Sequence, residues 1–527
     1  MSDLLVLLGS ACFGAKRLLR YLRFLQQDNY YSFRFLSWVW KTGSFDRRGS
    51  LIAVCGAMLC LNFPVFANAF GGIALTTLAW LEEDPRKTGK LSLKMTNRAK
   101  RIFYVALAIY TFLAIISFAC SSSSFSIWLW QILIFQTIPI CLVAACGLLS
   151  KEEAKRQATY LKEAKEMIKQ ANPFIIGITG SYGKTSTKEA LVQVLQIALG
   201  STFSPLKGVN TTMGITKEIR TKLKSGYRYA VIEMGAYKQG SIKELCELTP
   251  PQAGIITGIG TAHLERFGSV DTIRMTKGEL AQSIPAEGIL VCNGDSPGSR
   301  AIASEMKKNT TLLYGLDKQL GDLNCWISHI DTTVKGTHFK IEWKGKVFEG
   351  FTPLLGKSSL SNIAAVFTMA CALGGQPSYV LAAISNLELV DNRLQVRKEG
   401  DKVFLRDAYN SNPLGFASAL EVMKALPGNK RILMTPGIIE LGKEQFVENE
   451  KIGRIAAAIC DFALIVNEEN KHALEAGLRA GGMGKEKVLF CPTRKEAFEK
   501  LNSLMEKDDL VLIENDLPDL YETERKF

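Results

Sequence analysis

The sequence predicts an α/β protein: two domains built on mostly parallel sheets, behind an α-helical transmembrane module. Three observations carry this over the 527 residues. Two runs, 102–120 (IFYVALAIYTFLAIISFAC) and 126–148 (SIWLWQILIFQTIPICLVAACGL), hold no charge and approach the ~20 residues needed to cross a bilayer core. Behind them FIIGIT (174–179), YAVIEM (229–234), AGIIT (253–257) and GILVCN (288–293) alternate with helical segments, the pattern of a parallel sheet flanked by helices. A second alternation begins near 390, with VFLRDAY, KRILMTP, FALIVN, KVLFCP and DLVLIEN, and helices at 415–425, 443–459 and 470–480.

Taken in order, residues 1–150 form the membrane module. The apolar run 4–14 is short for a crossing, and with no basic segment ahead of it a cleavable signal is not expected. Residues 16–48 mix Arg with Tyr, Phe and Trp, as an interfacial helix does. The stretch 51–81 carries Asn62 and Pro64 near its middle and has basic residues on both flanks, which favours a tight hairpin of two short segments over one long span. The neutral SSSSF loop joins the two clear spans, while RKTGKLSLKMTNRAKR precedes the pair and KEEAKRQ follows it. The positive-inside rule then places 85–101 and everything after 149 in the cytoplasm, at the inner (cytoplasmic) membrane. A charged helical linker (151–171) leads to the central domain, 172–390, and the C-terminal domain, 391–527.

Charge agrees with this division. Residues 1–101 hold 15 Lys and Arg against 6 Asp and Glu, which is +9 of the net +13. Basic residues interleaved with apolar runs point to anionic membrane lipids as partners. Nucleic-acid-binding motifs are absent, so no nucleic acid is expected as a partner. The twelve cysteines are scattered without a C-x-x-C pair, which leaves zinc ribbons and thioredoxin-type sites unsupported and reduced, mostly buried thiols expected.

The chemistry centres on GITGSYGKTSTKE (177–189). A strand, a glycine turn and a helix starting near Lys184 make a phosphate cradle from backbone N–H groups, with Lys184 adding charge and Thr185 a hydroxyl for Mg²⁺. The usual G-x-x-x-x-G-K-[ST] frame needs glycine where this chain has Ile178. Glu233 stands at the carboxyl end of the next strand, where open α/β sheets place ligands, and His263 follows a third strand. Each has an alternative reading, as a solvated loop acid and a structural histidine.

With T-G-S-Y-G-K-T-S-T-K (179–188), V-I-E-M-G-A (231–236), G-T-A-H-L-E-R-F-G-S (260–269) and M-T-K-G-E-L (275–280), the chain resembles the ATP-dependent Mur ligases, most closely the MurF branch. That family uses the shortened loop, which accounts for Ile178. The likeness continues through V-C-N-G-D (291–295), S-N-I-A-A (361–365), D-N-R-L (391–394) and R-D-A-Y-N-S-N-P (406–413), about two thirds of the chain. It implies a central P-loop ATPase domain of Mur-ligase type and a Rossmann-like C-terminal domain. It also implies ATP held by Gly180, Ser181, Gly183, Lys184, Thr185 and Ser186. Thr185 and Glu233 would hold one Mg²⁺; His263 and a carbamylated Lys277 would organise a second. Asn293 and Asn362 would lie near the adenine, Arg393 near the phosphates, and Asp407 and Asn410 on the ribose and substrate side. The implied activity is an ATP-dependent acid–amino-acid ligase of peptidoglycan synthesis, with a UDP-linked or lipid-linked muramoyl peptide and D-alanyl-D-alanine as substrates.

Three departures bear on the substrate. The membrane module stands where a MurF enzyme has a soluble UDP-sugar domain. The family's G-R-H-N run reads Gly356-Lys357-Ser358-Ser359, and its K-G-S-R-like stretch reads Ile513-Glu514-Asn515-Asp516. Thr435–Gly442 keeps the family's E-L-G, and the histidine that follows it there appears as Asn449. These leave open a membrane-bound ligase acting on another acceptor, as poly-γ-glutamate synthetases do, and an inactive membrane scaffold.

Overall fold

The structure, a computed structural model, describes residues 2–88, 91–262, 264–306, 310–388, 394–400, 402–407 and 411–515. The chain divides into two compact units, one running to Gln157 and one from Ala158.

The first unit is helical: α1 (Ser2–Gln27), α2 (Ser32–Lys41), α3 (Arg48–Cys60), α4 (Pro64–Leu81), α5 (Asn97–Ala119) and α6 (Ser124–Ala171), the last continuing beyond it. Three of these, α4, α5 and α6, are long and apolar enough to cross a membrane, which makes the chain a multi-pass membrane protein with a soluble catalytic region. The 51–81 stretch forms α3 and α4, broken at Leu61–Phe63 just before Pro64, whose ring suits the first turn of a helix. Residues 16–48 do not make one interfacial helix. The 4–14 run and the basic residues after it belong together to α1, which ends before Asn29 and Tyr30 at φ 54° and 62°. Arg17 is withdrawn from any interface: fully buried, it pairs with Asp46 at 2.7 Å and Glu82 at 2.8 Å. A buried cation persists only with such partners. Small residues bring α1 and α4 together, since a Cβ on Gly72 would collide with the backbone of Leu5 and Val6.

The second unit carries two sheets. The first is built from β1 (Phe174–Thr179), α7 (Lys184–Ala198), β2 (Thr202–Phe203), α8 (Thr212–Lys222), β3 (Tyr229–Glu233), α9 (Ser241–Leu248), β4 (Ala253–Ile256), α10 (Leu264–Phe267), α11 (Val270–Ser283), β5 (Ile289–Asn293), α12 (Pro297–Glu305), β6 (Thr310–Gly315), β7 (Cys325–Thr333), β8 (Gly336–Trp343), β9 (Lys346–Thr352), α13 (Lys357–Ala372) and α14 (Pro377–Ser385). Its nine strands run in the order β2-β3-β1-β4-β5-β6-β7-β8-β9, parallel except for the β7-β8-β9 meander. The strands β1, β3 and β4 are buried at nearly every position, which is why they read as unbroken apolar runs. After β1 the chain builds outward through β2 and β3, then returns to the other side of β1 with β4. That reversal opens a crevice at the strands' carboxyl ends.

The second sheet comprises β10 (Gln395–Glu399), β11 (Lys402–Asp407), α15 (Pro413–Ala425), β12 (Arg431–Thr435), α16 (Gln445–Ala457), β13 (Phe462–Val466), α17 (Lys471–Ala480), β14 (Val488–Cys491), α18 (Arg494–Leu504) and β15 (Leu510–Glu514). Its order is β10-β11-β15-β12-β13-β14, with only β10 antiparallel to its neighbour. Leu355 and Leu394, on either side of the segment joining the two sheets, are buried in the core of the second with Phe416 and Leu420. The six cysteines of this unit are buried free thiols.

Candidate active site

The phosphate loop leaves β1 at Gly180 and enters α7 at Lys184, with Gly183 (φ 77°) as the residue before the helix. A Cβ on Gly183 would strike the Asn362 side chain, so only glycine lets the loop lie this close to α13. The loop is braced from β4: Ser181 N donates to Gly258 O at 2.7 Å, Gly260 N donates to Ser181 Oγ at 3.0 Å, and Thr257 Oγ1 donates to Tyr182 O. The ring of Tyr182 lies over Gly260, and burial raises its hydroxyl's pKa. Lys184 Nζ donates to the carbonyls of Gly180 (2.7 Å) and Ser181 (3.2 Å), so its charge sits within the loop that would hold phosphate.

Glu233 closes β3 and is 1% exposed. Its Oε1 accepts from Asn210 Nδ2 at 2.9 Å, while Oε2 is buried with no hydrogen-bond partner among the described residues. An unsatisfied buried carboxylate oxygen beside a phosphate loop is a donor that a divalent cation would complete. Lys277, on α11, is 3% exposed. Burial and then the charge of Lys184 hold its amine well below the usual lysine range, although Glu279 and Glu233 act in the opposite sense. The described residues contain no group of three or more His, Cys, Asp or Glu placed to hold a metal. His263, Arg393 and Asn410 lie outside the described residues.

A cavity of about 590 Å³ separates the two sheets. Of the sequence-derived candidates it brings together Gly183, Ser186, Asn293, Asn362 and Asp407; Gly180, Ser181, Lys184, Thr185, Glu233 and Lys277 do not line it. Asn293 Nδ2 donates to Thr257 O at 2.7 Å, and its Oδ1 accepts from Asp295 N at 2.8 Å, which ties the ends of β4 and β5 together. Asn362 Oδ1 accepts from Thr187 Oγ1 at 3.1 Å and so fixes α13 to α7. The second sheet contributes Asp407, Ser411 and Glu514. Burial, and next the nearby Asp407, push the Glu514 carboxyl well above the ordinary carboxylate range.

Sequence reasoning missed Asn210, Thr257 and Ser411. Thr257 obeys the strand-end rule that singled out Glu233, and Ser411 lies inside R-D-A-Y-N-S-N-P. Asn210 carries no local signal.

Comparison with known proteins covers both sheets. The Mur ligase middle domain matches residues 178–370, and the Mur ligase glutamate ligase domain matches 392–514. The UDP-N-acetylmuramoyl-tripeptide–D-alanyl-D-alanine ligase of Escherichia coli is 29% identical over 59% of this chain and 67% of its own. Its Mycobacterium bovis counterpart is 32% identical over 55% of this chain, which spans only 58% of that enzyme's length. The structure of MurF from Thermotoga maritima, in complex with ADP, superposes with a TM-score of 0.61 at 26% identity, covering 68% of this chain and 80% of that one. With its two sheets matched in order by the middle and ligase domains, the chain belongs to the Mur ligase family.

Proposed function

We propose that this chain is an ATP-dependent amide ligase of peptidoglycan precursor synthesis, joining D-alanyl-D-alanine to a muramoyl-tripeptide as its relatives' names describe. The supporting observation is the placement of the phosphate loop, with buried Lys277 and Glu233 nearby, at one end of a cavity walled by the second sheet.

In the first step a substrate carboxylate oxygen attacks the γ-phosphorus of ATP, giving an acyl phosphate and ADP. The amine then attacks the activated carbonyl, phosphate leaves with the C–O electron pair, and the nitrogen loses a proton. Backbone N–H groups of 180–184 and the Lys184 ammonium position the phosphates and take up their charge. Thr185 and Glu233 would hold Mg²⁺, with His263 and carbamylated Lys277 at a second site; the metal supplies charge neutralisation. Lys277 suits carbamylation because its buried amine is deprotonated at a lower pH than a surface lysine, and a neutral amine is what adds CO₂. By the family resemblance Asn293 and Asn362 would lie near the adenine, and Arg393, Asp407 and Asn410 would serve the nucleotide and substrate side, with closure of the second sheet's domain excluding water.

Incubation with ATP and a panel of muropeptide precursors, read by mass spectrometry, tests the ligase reading. Lys184→Ala is expected to lose at least a hundredfold in turnover, and wild-type turnover in that variant would refute it. A lipid-linked acceptor on the cytoplasmic face is favoured over a soluble one by the membrane-spanning helices α4–α6. Tethering raises the local concentration of a membrane-held substrate.

A further inference from the structure

Two carboxyls at the end of the second sheet stand apart from the phosphate chemistry. Asp407 and Glu514 are the last residues of β11 and β15 and are cross-strand partners in a parallel register. Glu514 is 0% exposed, yet it lines the cavity. Its Oε1 accepts a hydrogen bond from Ser411 Oγ, and its Oε2 is buried without a hydrogen-bond partner among the described residues. The cavity's other acids, Asp407 included, have interactions of their own: Asp295 accepts from the amides of Leu316 (2.8 Å) and Asp317 (3.1 Å), and Glu421 pairs with Lys357 at 3.2 Å. Lys357 is the only cationic side chain among the described lining residues. One end of the cavity, at Gly183, borders the phosphate loop, and the other presents a buried carboxyl oxygen with no hydrogen-bond partner among the described residues. Such an oxygen is costly in an apolar surround unless a donor completes it.

We infer that Glu514 and Asp407 form an ammonium subsite, which receives the amino group of the incoming amine substrate. An ammonium brings several donors and a positive charge into one compact group, and matches two carboxyls on adjacent strands. Glu514 is held above the ordinary carboxylate range by burial and then by Asp407. Arrival of the cation therefore expels the proton from that carboxyl to solvent, and amine binding is linked to proton release. The subsite rests on the ligase reading, to which it adds the chemistry that selects the amine.

Calorimetry on the full-length protein in detergent, with a non-hydrolysable ATP analogue present, tests it using D-alanyl-D-alanine as the probe. The wild type is expected to bind the dipeptide with proton release, seen as a dependence of the heat on the buffer's ionisation enthalpy, and not to bind its N-acetyl form. Glu514→Gln should weaken the dipeptide at least tenfold and abolish proton release, with nucleotide affinity unchanged within twofold. Ser411→Ala, which removes the hydroxyl on Oε1, should shift the dipeptide in the same direction by a smaller factor. Unchanged dipeptide affinity in Glu514→Gln overturns the subsite, as does parallel loss of nucleotide, equal binding of the N-acetyl dipeptide, or no dipeptide binding by the wild type. Loss of a Mg²⁺ site instead of the amine site in Glu514→Gln overturns it too. Undiminished ATP turnover in Lys184→Ala would refute the ligase reading, while the dipeptide-binding contrast would stand by itself.

Discussion

At the scale of single residues, the site depends on a few positions where no other side chain fits. Gly183→Ala forces a left-handed backbone onto a residue with a Cβ and pushes that Cβ into Asn362. The backbone cost alone is ~1–2 kcal/mol, and binding of a fluorescent ATP analogue should fall at least tenfold. Glu514 gives a pH-dependent expectation. Its folded pKa is raised, so its contribution is fully present below the unfolded pKa and is lost as pH rises towards the folded value. Glu514→Gln does not titrate, so it should melt above the wild type at pH 8, with the gap narrowing towards pH 5 in a thermal scan. For Lys277 the expected outcome is a ¹³C carbamate signal when the protein is held in labelled bicarbonate, absent from Lys277→Ala. The signal should fade as pH is lowered through the depressed pKa and the amine becomes protonated. What was legible at this scale was local. The loop and Glu233 declare themselves by spacing along one strand and turn. Glu514 facing Asp407 is a product of strand register between residues 107 positions apart, and Asn210 reaches Glu233 from a separate loop.

Among the elements of the first sheet, the parallel strands β1, β3, β4 and β5 were legible, whereas the short β2, the half-exposed β6 and the meander were not. Strands covered on both faces must be apolar throughout, so β1, β3 and β4 stand out as continuous runs. The meander β7–β9 alternates buried with exposed positions and carries Lys, Glu and Asp on its open side, so its composition resembles that of a loop. In the helical unit, the break at Pro64 was visible in the sequence, whereas the continuity of α1 through Arg17 was hidden by the charge. The close approach of α1 and α4 also makes a prediction. Gly72→Leu inserts a side chain where the backbone of Leu5 already lies. Overpacking of this kind costs ~1–3 kcal/mol, and the variant should lose monodispersity in detergent and melt several degrees lower.

For the whole molecule, the membrane helices and the ligase domains set a joint expectation. The protein should resist extraction by high salt and by alkaline carbonate, as integral proteins do, and detergent should release it. With α4–α6 anchoring the chain, kcat/KM on a lipid-linked muramoyl-tripeptide in vesicles should exceed that on the UDP-linked form by at least tenfold. Equal values in the two formats would remove any substrate role for the anchor.

The ion cluster of the helical unit has a consequence for how the chain is made. Arg17, Asp46 and Glu82 come from α1, the segment before α3 and the end of α4. Until residue 82 has left the ribosome, Arg17 lacks one of the partners that make its burial tolerable. The first helix is therefore expected to settle only once the fourth has been synthesised. Arg17→Met would remove the closest cation from both buried acids, leaving Glu82 with Arg48 at 4.0 Å. Its expected signature is rapid degradation of newly made chain in a pulse-chase experiment, even though every residue of the ligase domains is unchanged.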